Sequence, residues 1–304
     1  KLNCRGFFSR LSDYMRHTMR RLVHMQLDFG SLIWLIFLLM AFLPVLKQRR
    51  ILATRLAFLR RIELERKSRV ITLIHRQESL SFLGIPLRRF IDMEDSEKVL
   101  RAIRMTPDDM PIDIILHTPG GIALAAEQIA RALKKHPAKV TAIIPHYAMS
   151  GGTLIALAAD EILLDENAVL GPIDPQIAQY PASSIIRVLR EKPIEDIDDE
   201  TIILADMAEK ATNQIFETAV DVMTPRLDEE AARNLAQILS EGRWTHDFAL
   251  VCSTLSQLGL PVNCNLPDYI YELMDLFPQP ARQIPSVEYI PVPYRRPAKG
   301  QSLT

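Results

Sequence analysis

Hydrophobic spacing changes character along the chain, and each change predicts a different element. Residues 31–46 are almost wholly apolar and carry no charge. As a helix they span roughly 24 Å, a little short of the roughly 30 Å hydrocarbon core of a bilayer. Trp34 near one end suits a membrane interface, and Pro44 is tolerated near the other. The pattern predicts a membrane anchor over 31–46, either transmembrane or dipping into one leaflet. Residues 47–69 carry nine basic residues against only Glu63 and Glu65, so 52–67 reads as a basic helix near anionic headgroups. Residues 1–30 are basic too, but less densely. This charge bias expects the remaining chain at the cytoplasmic face of the membrane.

From Val70 onward, short β-branched runs alternate with segments whose apolar positions recur every three or four residues. Strands are predicted at 70–74, 112–116, 139–145, 161–164 and 169–173. Helices are predicted at 95–104, 122–135, 152–159, 200–223, 228–240 and 249–258. Residues 181–199 read as an insert of mixed polarity, and 241–247 as a turn or loop. This β-α alternation, with the nearly all-apolar strand at 112–116, predicts an α/β domain over 70–278 built on parallel strands covered on both faces. The Pro-rich stretch 279–304 lacks periodicity and is expected to be extended.

Composition adds mostly exclusions. The 304 residues have a net charge of −1 and an apolar content of 48%, so the chain makes no electrostatic case for nucleic acid. Cys4, Cys252 and Cys264 have no metal-ligand spacing and form no even set, which reads as reduced, inert thiols. No phosphate-loop, dinucleotide or His-Glu-x-x-His pattern appears, so no cofactor and no metal is expected.

The chemistry concentrates in two glycine turns, His117-Thr-Pro-Gly-Gly121 and His146-Tyr-Ala-Met-Ser-Gly-Gly-Thr153, each between a predicted strand and helix. Functional loops in such folds gather at the carboxyl ends of strands. A serine on such a turn can be held with its oxygen exposed, and a second glycine turn can aim N–H groups at the same point. Ser150 is therefore the expected nucleophile, although a serine at this position can also serve as a plain helix cap. The oxyanion donors are expected from Gly120 or Gly121 together with Gly151.

Thr118-Pro-Gly-Gly121, Ala148-Met-Ser-Gly-Gly-Thr153, Ala158-Ala-Asp-Glu-Ile162, Gly171-Pro-Ile-Asp174 and Gly242-Arg-Trp-Thr245 resemble the ClpP/crotonase superfamily. The chain is most similar to its branch related to signal peptide peptidase A, and within that to the serine dehydrogenase proteinases, over roughly 70–260 plus the anchor. The resemblance implies a spiral of β-β-α units, a homo-oligomer, and ATP-independent hydrolysis of peptides or membrane-protein segments. It points to Gly120 and Gly151 as oxyanion donors.

ClpP itself uses a histidine after the serine, and this chain has none between Ser150 and His246. Relatives of signal peptide peptidase A use a lysine instead. Lys210, on the predicted 200–223 helix beside an apolar face, is the preferred base of a Ser-Lys dyad. Lys192 is the alternative, although Glu191, Glu195 and Asp196 surround it in sequence. A lysine base must be buried enough to lose its charge at neutral pH. His75, His146 and the His246-Asp247 pair are outside candidates. Two other functional classes fit the fold: a non-catalytic oligomeric scaffold at the membrane and a crotonase-like acyl-CoA enzyme.

Overall fold

A computed structural model describes residues 29–76, 80–82, 85–87, 90–224 and 226–277. The tail expected over 279–304 and nearly all of the basic 1–30 segment lie outside the described residues. The chain divides into two units, Lys1–Ala57 and Phe58–Thr304. Helix α1 is Phe29–Arg66, so it contains both the apolar segment and the basic helix expected from the sequence. In the first unit the side chains of Trp34, Phe37, Met40 and Leu43 are exposed. Among the described residues, however, no helix is long and apolar enough to cross a membrane. The transmembrane anchor expected over 31–46 therefore finds no support. The physical limit is length, since Lys47, Arg49 and Arg50 follow the apolar run at once.

In the second unit, parallel strands β1 (Arg69–Ile74), β4 (Ile112–His117), β5 (Val140–Ile144), β7 (Glu161–Leu164) and β12 (Val262–Asn263) form one sheet in the order β1-β4-β5-β7-β12. A two-stranded hairpin, β2 (Leu80–Phe82) with β3 (Ile85–Leu87), follows β1. A smaller sheet stands at the carboxyl ends, with β8 (Val169–Leu170) between β6 (Tyr147–Ala148) and β11 (Leu250–Val251). A main-sheet strand, a short second-sheet strand and a helix thus follow one another at β5, β6 and α4 (Gly151–Leu157). This is the β-β-α unit expected from the resemblance.

Strand β4 is buried along its whole length because both faces of the sheet are covered. Ile112, Ile114 and Leu116 join a core with α2 (Met93–Arg104), α3 (Ala123–Lys135), α4, α6 (Asp199–Met223) and α7 (Glu229–Ser240). On the opposite face, Ile115, Ile143 and Leu163 pack with Ile62 of α1 and with Ile270 and Leu273 of α9 (Asp268–Asp275). Asp113 points to that face. Its carboxylate takes two hydrogen bonds from Arg66, at 2.5 and 2.9 Å, and one from Ser68. The Asp113 carboxylate, with the Tyr269 hydroxyl beside it, holds the Arg66 guanidinium charged against the cost of its burial. The helices start where the sequence provides caps: Asp92 and Asp95 form a capping box, and Asp198 and Asp228 cap α6 and α7.

Several expectations need correction. The 181–199 insert is helical, with α5 (Ala182–Glu191) behind the hairpin β9 (Gln176–Ile177) and β10 (Tyr180–Pro181). The helix expected at 249–258 begins as strand β11 and shortens to α8 (Cys252–Gln257), because Leu250 and Val251 pair with β8. Strand β12 and helix α9 were not among the expected elements, although Ile270, Leu273 and Met274 recur at helical spacing. Cys252 and Cys264 are joined in a disulfide across 12 residues, so the expectation of free thiols fails: the fold brings the two Cα atoms within 6.1 Å.

Removing one partner of a buried ion pair strands the other charge. Asp113→Ala is expected to destabilise the protein by about 3–5 kcal/mol, measured as a lower denaturant midpoint with unchanged slope.

Candidate active site

Both glycine turns lie at the carboxyl end of the main sheet and are zipped to each other. Thr118 N–H donates to Tyr147 O at 3.2 Å and Met149 N–H to Thr118 O at 3.0 Å, forming the bridge Thr118↔Ala148. There is no room for side chains between them. A Cβ on Gly120 would sit 2.8 Å from the Ser150 Cβ, and one on Gly152 would sit 2.6 Å from the Thr118 Cγ2. Gly120 also has φ +99°, which suits glycine. Behind the serine, the buried Thr153 hydroxyl bridges Ala148 O and the backbone of Gly171. This ties the second turn to the segment leading to Asp174.

Ser150 itself has φ 50° and ψ −115°, outside the regions that suit an ordinary side chain. Such strain costs on the order of 1–3 kcal/mol and persists only where neighbours enforce it. Its hydroxyl makes no capping bond to α4, which removes the helix-cap reading. Instead Ser150 lines a cavity of about 540 Å³ together with Gly121, Gly151, Asp174 and His246. The remaining wall is mostly apolar, from Phe90, Pro119, Ala126, Leu154, Ile173, Ile177, Ala211 and Ile215.

The two turn glycines differ in what their N–H groups do. Gly120 N–H donates to Thr118 Oγ1 at 3.2 Å. The N–H groups of Gly121 and Gly151 have no acceptor among the described residues, and both residues line the cavity. Of the expected donors, Gly121 and Gly151 are therefore the pair that faces the serine's cavity.

The expected bases fall elsewhere. Lys210 lies on α6 one residue before the cavity-lining Ala211, but its side chain is 68% exposed and paired with Asp206 at 2.6 Å. Lys192, the C-cap of α5, is exposed. Neither lysine lines the cavity. A histidine does: His246 Nδ1 meets Asp174 Oδ1 at 2.8 Å. The Asp174 side chain is 1% exposed, and its second oxygen accepts from Gln176 Nε2 at 2.7 Å. Asp174 had been noted only as part of a motif, and His246 only as an outside candidate. The missed signal was an acid inside the apolar run 168–177, which needs a partner once buried.

His146 and His75 do not line this cavity. His146 lies against His117 and Tyr271, with ring centroids 5.4 and 5.9 Å apart. His75 Nδ1 meets Thr118 Oγ1 at 2.9 Å and its Nε2 meets Asp95 at 3.1 Å. His117 is buried behind the first turn beside Tyr147, and burial together with Arg76, His146 and His75 pushes it down to about 3. Burial and Arg76 also lower His146, against the pull of Asp165.

The family model of the ClpP-like SDH-type serine proteinases matches residues 20–303. The uncharacterized protein MJ1495 of Methanocaldococcus jannaschii is 56% identical over 261 residues, 86% of this chain and 89% of the relative. MJ0137 of the same organism is 52% identical over 268 residues, covering 88% and 94%. Among solved structures, ClpP1 from Listeria monocytogenes aligns with a TM-score of 0.40 at 16% identity, covering 64% of this chain and 91% of its own. A mutant of the 1510-N membrane-bound stomatin-specific protease, in complex with a substrate peptide, aligns at 0.40 and 22% identity, covering 61% and 74%.

A depressed imidazole must stay neutral for the fold to hold, whereas an unfolded one protonates near 6.5. The stability contributed at His117 is therefore complete above about pH 6.5 and declines as pH falls toward about 3. Urea midpoints should drop across that window in the wild type. His117→Asn should flatten the dependence.

Proposed function

The chain belongs to the ClpP-like SDH-type serine proteinase family, and we propose that it cleaves peptide bonds with Ser150 as nucleophile, His246 as base and Asp174 as the group that orients the base. It is a serine peptidase with a ClpP-like α/β fold. The observation carrying the assignment is the single cavity that Ser150, His246 and Asp174 share. With Nδ1 bonded to the buried Asp174, the Nε2 of His246 is left to take the serine proton and return it to the leaving amine. Gly121 and Gly151 supply the N–H pair for the oxyanion. The Ser-Lys dyad is a second reading, since Lys210 adjoins the cavity-lining Ala211. It requires Lys210 to leave Asp206 and turn inward.

Substrates on this reading are peptides or membrane-protein segments, because the cavity wall offers apolar side chains to an extended chain. The exposed apolar side chains of α1 insert into one leaflet, with the basic residues of 47–57 against anionic headgroups, each worth up to about 1 kcal/mol. The peptidase domain works from the cytoplasmic membrane face, as a homo-oligomer in keeping with ClpP-like proteinases, and without ATP.

Casein hydrolysis by detergent-purified protein, without ATP, separates the two bases. Ser150→Ala should abolish cleavage. His246→Ala should lower kcat by about 10²–10⁴, while Lys210→Ala stays within about two-fold of wild type. The reverse pattern, a dead Lys210→Ala beside an active His246→Ala, would establish the dyad instead. For the membrane reading, the protein should float with anionic vesicles in a sucrose gradient, and Phe37→Asp with Leu38→Asp should weaken flotation. Equal flotation of the double variant would overturn leaflet insertion.

A further inference from the structure

The geometry points to Thr118 as the residue that positions the oxyanion hole. We propose that its buried hydroxyl, fixed by His75 and through it by Asp95, captures the N–H of Gly120 and so commits the N–H of Gly121 to the oxyanion. This rests on the reading of Ser150 as nucleophile with a backbone oxyanion hole.

Pro119 has no N–H, so the first turn offers only two donors, Gly120 and Gly121. Their directions are fixed from opposite sides. Ile91 N–H donates to Gly120 O at 2.8 Å, and Ile122 N–H to Ile91 O at 2.8 Å, giving the parallel bridge Ile91↔Gly121. No peptide bond here is cis. In a trans peptide the N–H points opposite to the C=O of the same unit. With the Gly120 carbonyl turned to Ile91, the N–H of Gly121 must face away from Ile91, toward the cavity that Gly121 shares with Ser150 and Gly151. A flip of the neighbouring peptide would offer Gly120 instead, and Thr118 Oγ1 holds that N–H at 3.2 Å.

The hydroxyl can do this only if its own proton is placed elsewhere. It has one proton to donate and accepts from Gly120. His75 Nδ1 at 2.9 Å is the near acceptor, since Gly120 O stands at 3.5 Å. For Nδ1 to accept, the imidazole proton must sit on Nε2, where Asp95 Oδ2 receives it at 3.1 Å. Asp95 is itself fixed in the capping box of α2, through Asp92 N–H at 3.1 Å. A chain of hydrogen bonds thus runs from a helix cap to the oxyanion turn. Thr118 and His75 are buried, so water does not compete for the bond between them. Thr118 touches no reacting atom and acts through Gly121.

The test is steady-state cleavage of a fluorophore-quencher casein peptide by the full-length protein. Thr118→Val removes the hydroxyl at nearly constant volume. It should lower kcat about 10–100-fold, less than loss of an oxyanion donor itself, with KM within about two-fold. Thr118→Ser should recover most of the rate. Asp95→Asn, at a partly exposed site that does not threaten folding, should show the same kcat-selective loss in weaker form. An unchanged kcat in Thr118→Val overturns the assignment. So does a raised kcat, which would make Gly120 the donor that Thr118 withholds. A loss shared equally by Thr118→Ser would reduce the residue to packing and overturn it too. Residual cleavage by Ser150→Ala, run alongside, would instead sink the active-site reading beneath it.

Discussion

The site depends on one steric constraint: two strand-to-helix turns packed backbone against backbone. Gly120 and Gly152 lie where any Cβ would fall within 2.8 Å of the opposite turn, so glycine there sets the separation of Ser150 from the first turn. The same contact holds Ser150 at φ 50°, a conformation a free chain would leave. The zipper of Thr118 with Tyr147 and Met149, and the Thr153 hydroxyl beneath, supply the restoring bonds. Strain at Ser150 and rigidity of its surroundings are therefore one feature.

That contact is only as firm as the sheet below it. Strands β4 and β5 deliver the two turns side by side because their parallel register pairs Ile112 with Val140 and Ile115 with Ile143. Apolar residues hold the two faces of the sheet in place, and the one charge inside it, Asp113, is tied to Arg66 and Ser68. A buried carboxylate of this kind fixes geometry more than it adds stability. The polar groups near the turns follow the same logic. Asp174 holds one nitrogen of His246, and Asp95 and Thr118 hold both nitrogens of His75. His117 differs, with a buried Nδ1 that has no partner among the described residues. Burial first, and then the nearby Arg76, keep it neutral, which links folding to pH.

Much of this was legible in the chain. The apolar strand at 112–116, the helical stripes and the two glycine turns specify a parallel α/β sheet with Ser150 at a strand end, because these features depend on local spacing alone. Residue types alone left Gly120 and Gly121 equal, and the resemblance pointed to Gly120; which N–H is free depends on Ile91 and Thr118, which approach from different directions. The resemblance favoured a lysine as base, and its place on the long helix favoured Lys210. Which face of that helix turns inward is a packing outcome, and Ala211, Gln214 and Ile215 line the cavity while Lys210 stands in solvent.

The sequence by itself therefore determined the fold, the glycine turns and the place of Ser150 between them, all set by periodicity and by residue types with few other uses. Only the tertiary structure decided the partners. Asp174 and His246 are 72 residues apart, Thr118 and His75 are 43 apart, and Cys252 reaches Cys264 through a loop. Such pairings depend on where strands end in space and on which side chains are then shut off from water. Hydrophobic spacing specifies faces of elements, but it carries no information about the neighbours those faces will meet.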